Sequence, residues 1–288
     1  MASLDDLKKR ISSVKSTQKI TKAMKMVAAA KLKRAQDSAE KGRPYSQKMN
    51  NVILNLSNGI SDKNNAPKLL SGTGNDQIHL CVVMTSDRGL CGGFNANIIK
   101  QTLSLINDYK DNNISILSIG KKSSEYFKNN NYTPISTHDE VFNNLNYESI
   151  AQISDDIMHM YLDEKFDKVI LVYNQFKNAA TQNVMSENYL PVESPQEEDS
   201  TIGDYIFEPE KKEIIEQLIP KSLKTQLFKA VLDSNASEHG ARMTAMHKAT
   251  DNASELKKDL TLSYNKARQA AITAEILEIV GGAEALNN

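Results

Sequence analysis

Proline and glycine are nearly absent from both ends of this sequence. Residues 221–288, the last 68, contain no proline, and only Gly240 interrupts a helix-compatible pattern before Gly281. Neither Gly nor Pro occurs between Ser3 and Lys41. Because these residues end or bend helices, their absence excludes turns from long terminal stretches. A helix over 221–280 would be about 90 Å long. It would project from a compact globule of this length, whose radius of gyration is about 19 Å.

Several other features are missing and exclude whole classes of protein. No stretch approaches the run of about 18 apolar residues that a membrane-spanning helix needs. The chain has 2 cysteines, and Cys81 and Cys91 are not spaced as a CxxC pair, so we expect free thiols rather than a disulfide. The first residues, Met-Ala-Ser-Leu-Asp-Asp, lack the features of a signal or transit peptide. Together these absences favour a cytoplasmic protein.

The C-terminal stretch carries an apolar or small residue at alternating steps of three and four. This spacing is typical of a coiled-coil seam, since it keeps one face of a helix toward a partner helix. The small residues in its second half predict a close approach between the two helices. A buried helix of an ordinary bundle is the alternative interpretation. The predicted seam consists of Met246, Ala249, Ala253, Leu256, Leu260, Ser263, Ala267, Ala270, Ala274 and Leu277.

The N-terminal stretch supplies the expected partner helix, over much of residues 3–57. Because residues 16–19 are polar, we expect its apolar stripe to drift around the helix rather than keep strict heptads. Pro44 should kink this helix or begin a second one. Two long terminal helices joined by a compact middle pair most simply as an antiparallel coiled coil. The predicted stripe consists of Leu4, Leu7, Ile11 and Val14, followed by Ile20, Met24, Ala28, Leu32, Ala35 and Ala39.

Charge is distributed unevenly along the chain, although the net charge is only -1. Residues 1–48 hold 13 Lys or Arg against 4 Asp or Glu, whereas residues 193–216 hold 9 acids against 2 bases. A basic amphipathic helix suits nucleic acid, an anionic membrane surface or an acidic protein partner, or is simply a solvated face. Nucleic acid is disfavoured, because no aromatic residues alternate with the basic ones and no nucleic-acid-binding motif is present.

The middle of the chain reads as alternating strands and helices. Apolar runs predict strands over 78–85, 114–119 and 168–173. Helical patterns lie at 95–109, with Asn95 as its cap, and at 123–128 and 149–164. This order indicates a parallel sheet covered by helices. The stretch Asn188 to Phe207 is predicted to be a loop leading back to the long C-terminal helix.

A glycine-rich turn at residues 87–95, DRGLCGGFN, is the strongest hint of chemistry in the sequence. Dinucleotide-binding folds place a pyrophosphate at such a strand-to-helix turn. Here the glycines do not have GxGxxG spacing and no Gly-Lys-Ser/Thr follows, which favours a structural turn. Cys91 lacks a matched His or acid, and the five histidines are scattered. The residues therefore predict no catalytic, metal or cofactor site.

Four segments together resemble the gamma subunits of F-type ATP synthases. They are SVKSTQKITKAMKMVAAAK at 13–31, SDRGLCGGFN at 86–95, ARMTAMHKATDN at 241–252 and NKARQAAITAE at 265–275. The match runs end to end with its blocks in order, and it resembles the bacterial form. The fold class implied is α/β, with a long antiparallel coiled coil of the N- and C-terminal helices plus a central Rossmann-like α/β domain. The expected segments are a shaft helix over 1–57, a foot domain over 75–208 and a second shaft helix over 209–288.

The resemblance also implies a function and partners. The chain would be a central rotor shaft that transmits torque between a proton-driven c-ring and a catalytic hexamer of three alpha and three beta subunits. It would contact the epsilon subunit, contain no catalytic residue and no cofactor, and lie peripherally on the cytoplasmic face of the bacterial inner membrane. The resemblance implies that Met24 and Lys25 lie near an acidic loop of a catalytic subunit. It implies that Arg268, Gln269 and Thr273 contact a loop of a catalytic subunit. Tyr205, Phe207 and Glu208 would meet the c-ring. Residues 276–286 would form a tip that turns within an apolar sleeve.

Two other classes of protein remain as alternatives. A nucleotide-dependent enzyme built on the central sheet would bind a nucleotide saturably as an isolated chain. A free-standing coiled-coil scaffold would form a stable homodimer without a hexameric partner.

Overall fold

A computed structural model of the chain describes residues 3–57, 67–109, 113–192 and 211–286. The chain divides into two compact units. Residues Met1–Ala28 and Met243–Asn288 form one, which we call the paired-helix unit, and Ala29–Arg242 form the other, which we call the α/β unit.

Two long helices each contribute to both units. Helix α1 spans Leu4–Ser57 and contains Pro44, so the proline does not begin a second helix. The C-terminal helix, α6, spans Lys211–Leu286 and contains Pro220. Within the described ranges, none of the helices combines the length and apolarity needed to span a bilayer.

The α/β unit is built on a five-stranded sheet with the strand order β3-β2-β1-β4-β5. Strands β1 to β4 pair in parallel and β5 pairs antiparallel with β4. The strands are β1 Ile78–Met84, β2 Asn113–Ile119, β3 Ser136–His138, β4 Lys168–Phe176 and β5 Gln182–Leu190. The helices of this unit, besides parts of α1 and α6, are α2 Lys68–Ser71, α3 Phe94–Asp108, α4 Lys121–Asn129 and α5 Tyr147–Leu162.

The predicted parallel α/β architecture is confirmed, and the two outer strands were missed. The predicted strands correspond to β1, β2 and β4, and the predicted helices to α3, α4 and α5. The interpretation of Asn188 as the start of a loop is wrong, because β5 continues to Leu190. Strand β5 has the polar sequence QNVMSENYL, so it carries no apolar run by which a strand is recognised. Residues 193–207 of the predicted loop lie outside the described residues.

Helices cover both faces of the sheet, as alternation along the strands requires. On one face Leu80, Val82 and Met84 of β1 pack with buried residues of α5 and α6. On the other face Cys81 and Val83 pack with α3 and with Phe127 of α4. Both cysteines are buried free thiols, which confirms the expectation that they form no disulfide.

Candidate functional site

The α1 half of the paired-helix unit keeps a strict alternation of three and four residues. Each position of this seam is buried or partly buried, at Leu4, Leu7, Ile11, Val14, Gln18, Thr21, Lys25 and Ala28. The expected drift of the stripe is therefore wrong. Ile20, assigned to the stripe, is 59% exposed, and the polar residues Gln18 and Thr21 hold the seam instead.

The α6 half shows the same spacing. Relative to the predicted seam, every second position lies one residue later. The positions that follow this spacing are buried or partly buried, at Met246, Thr250, Ala253, Lys257, Leu260, Tyr264 and Ala267, and Ala249 and Ser254 beside them are also partly buried. Burial of the predicted residues Met246, Ala249, Ala253, Leu260 and Ala267 is confirmed. Leu256 and Ser263 are exposed, so assigning them to the seam was wrong.

One hydrogen bond fixes the register of the two helices. The Thr250 hydroxyl donates to the Thr21 hydroxyl at 2.8 Å. Counting in opposite directions from this pair places Lys257 opposite Val14, and Tyr264 opposite Leu7, as an antiparallel seam requires. Each hydroxyl also lies within hydrogen-bond distance of a carbonyl of its own helix, at Gln18 and Met246. A polar contact between helices favours one register, because a shifted helix would lose the contact between the two threonines.

Pairing ends at Ala267. In the same register Ala267 lies opposite Leu4, where α1 begins. Beyond it every α6 residue from Arg268 to Ala283 is exposed. The expectation that Ala270, Ala274 and Leu277 face the N-terminal helix is therefore wrong, because that helix starts too late to reach them.

The outer surface of this unit is both apolar and basic. Helix α1 contributes six exposed cations, at Lys8, Lys9, Arg10, Lys15, Lys19 and Lys22. Ten large apolar side chains are between 47% and 66% exposed: Ile20, Met26, Val27, Leu256, Leu262, Ile272, Ile276, Leu277, Ile279 and Val280. Five of them fall between Ile272 and Val280, within nine consecutive residues of α6, and clustered exposed apolar side chains mark an interaction site.

The sequence-predicted contact residues fall into two groups on this unit. Met24 and Lys25 are partly buried on α1, with Lys25 in the seam. Arg268, Gln269 and Thr273 are exposed on α6 just past the end of pairing. The Thr273 hydroxyl donates to the Gln269 carbonyl at 2.9 Å, so this side chain is held against its own helix. Tyr205, Phe207 and Glu208 lie outside the described residues.

The glycine-rich turn of the α/β unit is organised by its own side chains. Asn95 does not cap α3, which begins at Phe94 with Gly93 as its N-cap. Instead the Asn95 side chain accepts from the Ser86 amide at 3.0 Å and donates to the Cys91 sulfur at 3.3 Å. The prediction of Asn95 as a cap is wrong, because its side chain forms hydrogen bonds within the turn instead.

Asp87 ties the same turn to two neighbouring segments. One of its carboxylate oxygens accepts from the backbone amides of Lys121 at 3.0 Å and Glu140 at 3.2 Å. Lys121 is the first residue of α4, so this carboxylate compensates free amides at a helix N-terminus.

Arg242 joins the turn to α6, and sequence reasoning missed its role. Its guanidinium donates to the backbone carbonyls of Arg88 at 2.8 Å and Gly89 at 3.2 Å. It also forms an ion pair with Glu238, one helical turn earlier. The only signal in the sequence was its place in the motif block at 241–252. Two backbone carbonyls of the turn therefore accept hydrogen bonds from an arginine of the same chain.

Burial shapes the electrostatics around Arg242. Burial raises the pKa of Glu238 above its ordinary value, although Arg242 opposes that effect. Burial, with the nearby cations Arg242 and Lys31, lowers the pKa of His239 from 6.5 to about 4. At neutral pH this cluster therefore contains a neutral imidazole at His239 beside Arg242 and Glu238.

Further contacts hold α6 against the sheet and α5, at residues that precede Arg242 in the helix. The Tyr189 hydroxyl donates to the Leu223 carbonyl at 3.0 Å, and the Ser237 hydroxyl donates to the Asn174 carbonyl at 3.0 Å. A partly buried ion pair joins Lys224 to Asp155 of α5 at 2.8 Å. Because buried hydrogen bonds to backbone have one good geometry, they fix the helix in rotation as well as position.

Chemistry of other kinds finds little support in the described part of the chain. There, no group of three or more His, Cys, Asp or Glu could hold a metal ion. His239 contacts Arg242 and His247 pairs with Asp251 at 3.2 Å. Burial raises the pKa of the Cys81 thiol to about 12, which opposes formation of the reactive thiolate.

Comparison with solved structures defines the class of protein. The chain matches a central-stalk chain of the Tetrahymena thermophila mitochondrial ATP synthase with 29% identity and a TM-score of 0.61, covering 80% of this chain and 99% of that one. A chain of the Euglena gracilis mitochondrial ATP synthase matches in fold, with 21% identity and a TM-score of 0.70 over 98% and 94% of the two chains. A chain with an α/β unit and a unit of long paired helices thus belongs to the class of central-stalk proteins.

Comparison with sequences gives the family. A family profile described as ATP synthase matches residues 3–286. An ATP synthase gamma chain of Pelagibacter ubique is 53% identical over 99% of this chain and 100% of its own length. One from Christiangramia forsetii is 54% identical over 100% of both. The chain belongs to the gamma-chain family of ATP synthases, and its role is that of a central-stalk subunit of the rotor.

Proposed function

We propose that this chain transmits torque between a proton-driven c-ring and a catalytic hexamer of alpha and beta subunits, and that it carries no catalytic site itself. The observation that supports this most is the exposure of every α6 residue from Arg268 to Ala283. Helices in proteins gain most of their stability from packing of an apolar face, which these residues do not obtain within this chain. We infer that a partner surrounds it in the working complex.

The chemistry of this exposed end suits a sleeve that permits turning. Ile272, Ile276, Leu277, Ile279 and Val280 are each about half exposed or more. Apolar contact is non-directional, so a helix can turn inside an apolar collar without breaking a fixed set of hydrogen bonds. The three polar residues Arg268, Gln269 and Thr273 precede this end, where we propose that they contact a loop of a catalytic subunit.

The basic face of α1 suits an acidic partner. We propose that Met24 and Lys25 lie near an acidic loop of a catalytic subunit. The cations of α1 would guide that contact over a range set by the Debye length, about 8 Å at physiological ionic strength. Contacts of this kind fix orientation and rate of encounter more than affinity.

The α/β unit is the proposed foot of the shaft. We propose that Tyr205, Phe207 and Glu208, which lie outside the described residues, meet the c-ring, and that the epsilon subunit binds this unit. The functional segments would be 1–57, 75–208 and 209–288. The complex would hold the chain peripherally at the cytoplasmic face of the bacterial inner membrane.

The proposal is tested in inverted membrane vesicles from a bacterial strain lacking its own gamma chain. Expression of this chain should restore ATP-driven acidification of the vesicles and proton-driven ATP synthesis. Arg268→Ala should lower synthesis several-fold while complex yield stays near that of the natural sequence. Lys266→Ala removes a neighbouring exposed cation and is the matched control, for which we expect little change. Equal effects of the two variants would contradict the contact assigned to Arg268. A complex that assembles but never couples would contradict the function.

The foot is tested by cysteine crosslinking in the same membranes. Cysteines replacing Tyr205 or Phe207 should form disulfides with cysteines in the polar loop of a c subunit under mild oxidation. Intact assembly without a crosslink at either position would contradict the c-ring contact and favour packing of both rings within the chain.

A further inference from the structure

A cleft of about 280 Å³ lies in the α/β unit between three helices. Helix α1 lines it with Ala39, Gly42 and Tyr45, and α5 with its first residue, Tyr147. Helix α6 lines the third side. None of these residues takes part in the contacts described above.

The walls of the cleft suit a flat apolar group. The rings of Tyr147 and Phe228 meet edge to face, with centroids 5.5 Å apart and an angle of 82°. Leu232 is buried at 7% exposure on the same side. On α1, Ala39 and Gly42 carry almost no side chain, and Tyr45 adds a further ring. A ring can therefore lie against aromatic and aliphatic surface, and approach the backbone of α1 at the small residues.

A single charged side chain lines this cleft among the residues that the structure describes. Lys229 is partly buried on α6. The described ion pairs include Lys224, five residues earlier, with Asp155, but not Lys229. A cation beside apolar surface favours a ligand that combines an apolar body with a negative group.

We propose that this cleft binds a small aromatic monoanion, one ring bearing a carboxylate, with the ring against Tyr147 and Phe228 and the carboxylate at Lys229. The volume supports one ring rather than a larger ligand, because small-molecule pockets generally begin at about 300 Å³. The cleft lies wholly within residues 29–242, so the proposal does not depend on the function of the chain in torque transmission.

The proposal is tested on the purified full chain by fluorine NMR titration with 4-(trifluoromethyl)benzoate. Its neutral counterpart, 4-(trifluoromethyl)benzamide, separates the contribution of the charge from that of the ring. We expect one saturable site for the benzoate and weaker binding of the benzamide.

Gly42→Leu tests where the probe binds. A Cβ added at Gly42 meets no atom within 4 Å, and Gly42 lines the cleft, so a leucine there begins in open space at the cleft wall. It should weaken both probes by about tenfold or more, because the ring loses its place. Gly281→Leu is the matched control, since that helical glycine is equally unobstructed and lies outside the cleft.

Lys229→Gln tests how the charge is recognised. It keeps the aliphatic stem and should weaken the benzoate about three- to tenfold while changing the benzamide little. Lys229→Arg should restore most of the binding, whereas Lys258→Gln, at an exposed lysine of the paired-helix unit, should change nothing. Binding unaffected by Gly42→Leu, equal loss of both probes in Lys229→Gln, or no saturable binding would each overturn the proposal.

Discussion

The two ends of helix α6 share a secondary structure and have opposite surroundings. In the α/β unit Leu223, Leu227 and Val231 are at most 1% exposed. In the paired-helix unit every residue from Arg268 to Ala283 is exposed. The first end is stabilised by packing within the chain, and the second has no partner in this chain. The comparison teaches that one helix can be fixed to a body at one end and left for an external partner at the other.

Two glycines extend this contrast to the packed interior of the α/β unit and the exposed end of α6, and they have the largest expected difference. Gly120 follows β2 with φ of +97°, and an added Cβ would lie 2.1 Å from the Thr85 carbonyl oxygen. Gly120→Ala should therefore lower the free energy of unfolding by about 4 kcal/mol or more. Gly281→Ala meets nothing within 4 Å and should be neutral or slightly stabilising. Urea denaturation followed by circular dichroism compares them. Similar stability of both variants would show that the crossover at Gly120 is not tightly packed.

Two leucines of α6 test the same contrast through side chains. Leu227 is 0% exposed and Leu277 is 66% exposed. Leu227→Ala should cost about 3 kcal/mol, because it leaves a cavity in the core. Leu277→Ala should change the isolated chain by less than about 0.5 kcal/mol. Thermal unfolding of the isolated chain measures both. A large loss in Leu277→Ala would mean that this end of α6 does pack within the chain.

Two alanines locate the end of the seam. Ala253 is 8% exposed, whereas Ala270 is exposed beyond the start of α1. Ala253→Leu should cost about 1 to 3 kcal/mol by overpacking. Ala270→Leu should change stability by only a few tenths of a kcal/mol. The opposite order, measured by urea denaturation, would place the seam on the wrong face of α6.

His239 tests the anchored end of α6 through pH. Its pKa is lowered to about 4 in the folded chain. The unfolded chain therefore binds more protons between about pH 6.5 and pH 4, so stability is complete above this window and falls as the pH is lowered through it. Because the imidazole is partly exposed, we expect a loss of about 1 to 2 kcal/mol.

His239→Gln should remove this part of the acid destabilisation, while His247→Gln, at an exposed histidine, should leave it in place. Urea denaturation at pH 7 and pH 4.5 gives the difference for each variant. Unchanged acid sensitivity in His239→Gln would show that this imidazole is already free to take up a proton in the folded chain.

The sequence predicted the parallel strands and the paired helices because each has a local signature. Apolar runs marked β1, β2 and β4, alternating spacing marked the α6 half of the seam, and an apolar stripe without glycine or proline marked the α1 half. Exact seam positions were not recoverable, since Gln18 and Thr250 are polar and their burial depends on the opposite helix. The spacing continues through Ala270, Ala274 and Leu277, although these residues face no partner helix in this chain. The local pattern therefore could not show where pairing ends.

The hydrogen bonds of Arg242 could not be predicted from the sequence for a related reason. Its hydrogen-bond acceptors are the backbone carbonyls of Arg88 and Gly89, more than 150 residues away in sequence. Every residue has a backbone carbonyl, so the sequence does not indicate which carbonyls accept these hydrogen bonds. The pairing is seen only in the folded structure. The same holds for Tyr189 and Ser237, whose acceptors are also carbonyls.

The central claim, that this chain turns as a rotor, is tested most directly by observing rotation. Asn129 is exposed at the end of α4, and both natural cysteines are buried, so Asn129→Cys gives one accessible thiol for a bead. The variant would be assembled with its alpha and beta subunits, and that hexamer fixed to glass. On addition of ATP we predict rotation of the bead in a single direction, pausing at three positions in each turn. ATP hydrolysis by the same complexes with a bead that only fluctuates about a fixed position would contradict the account.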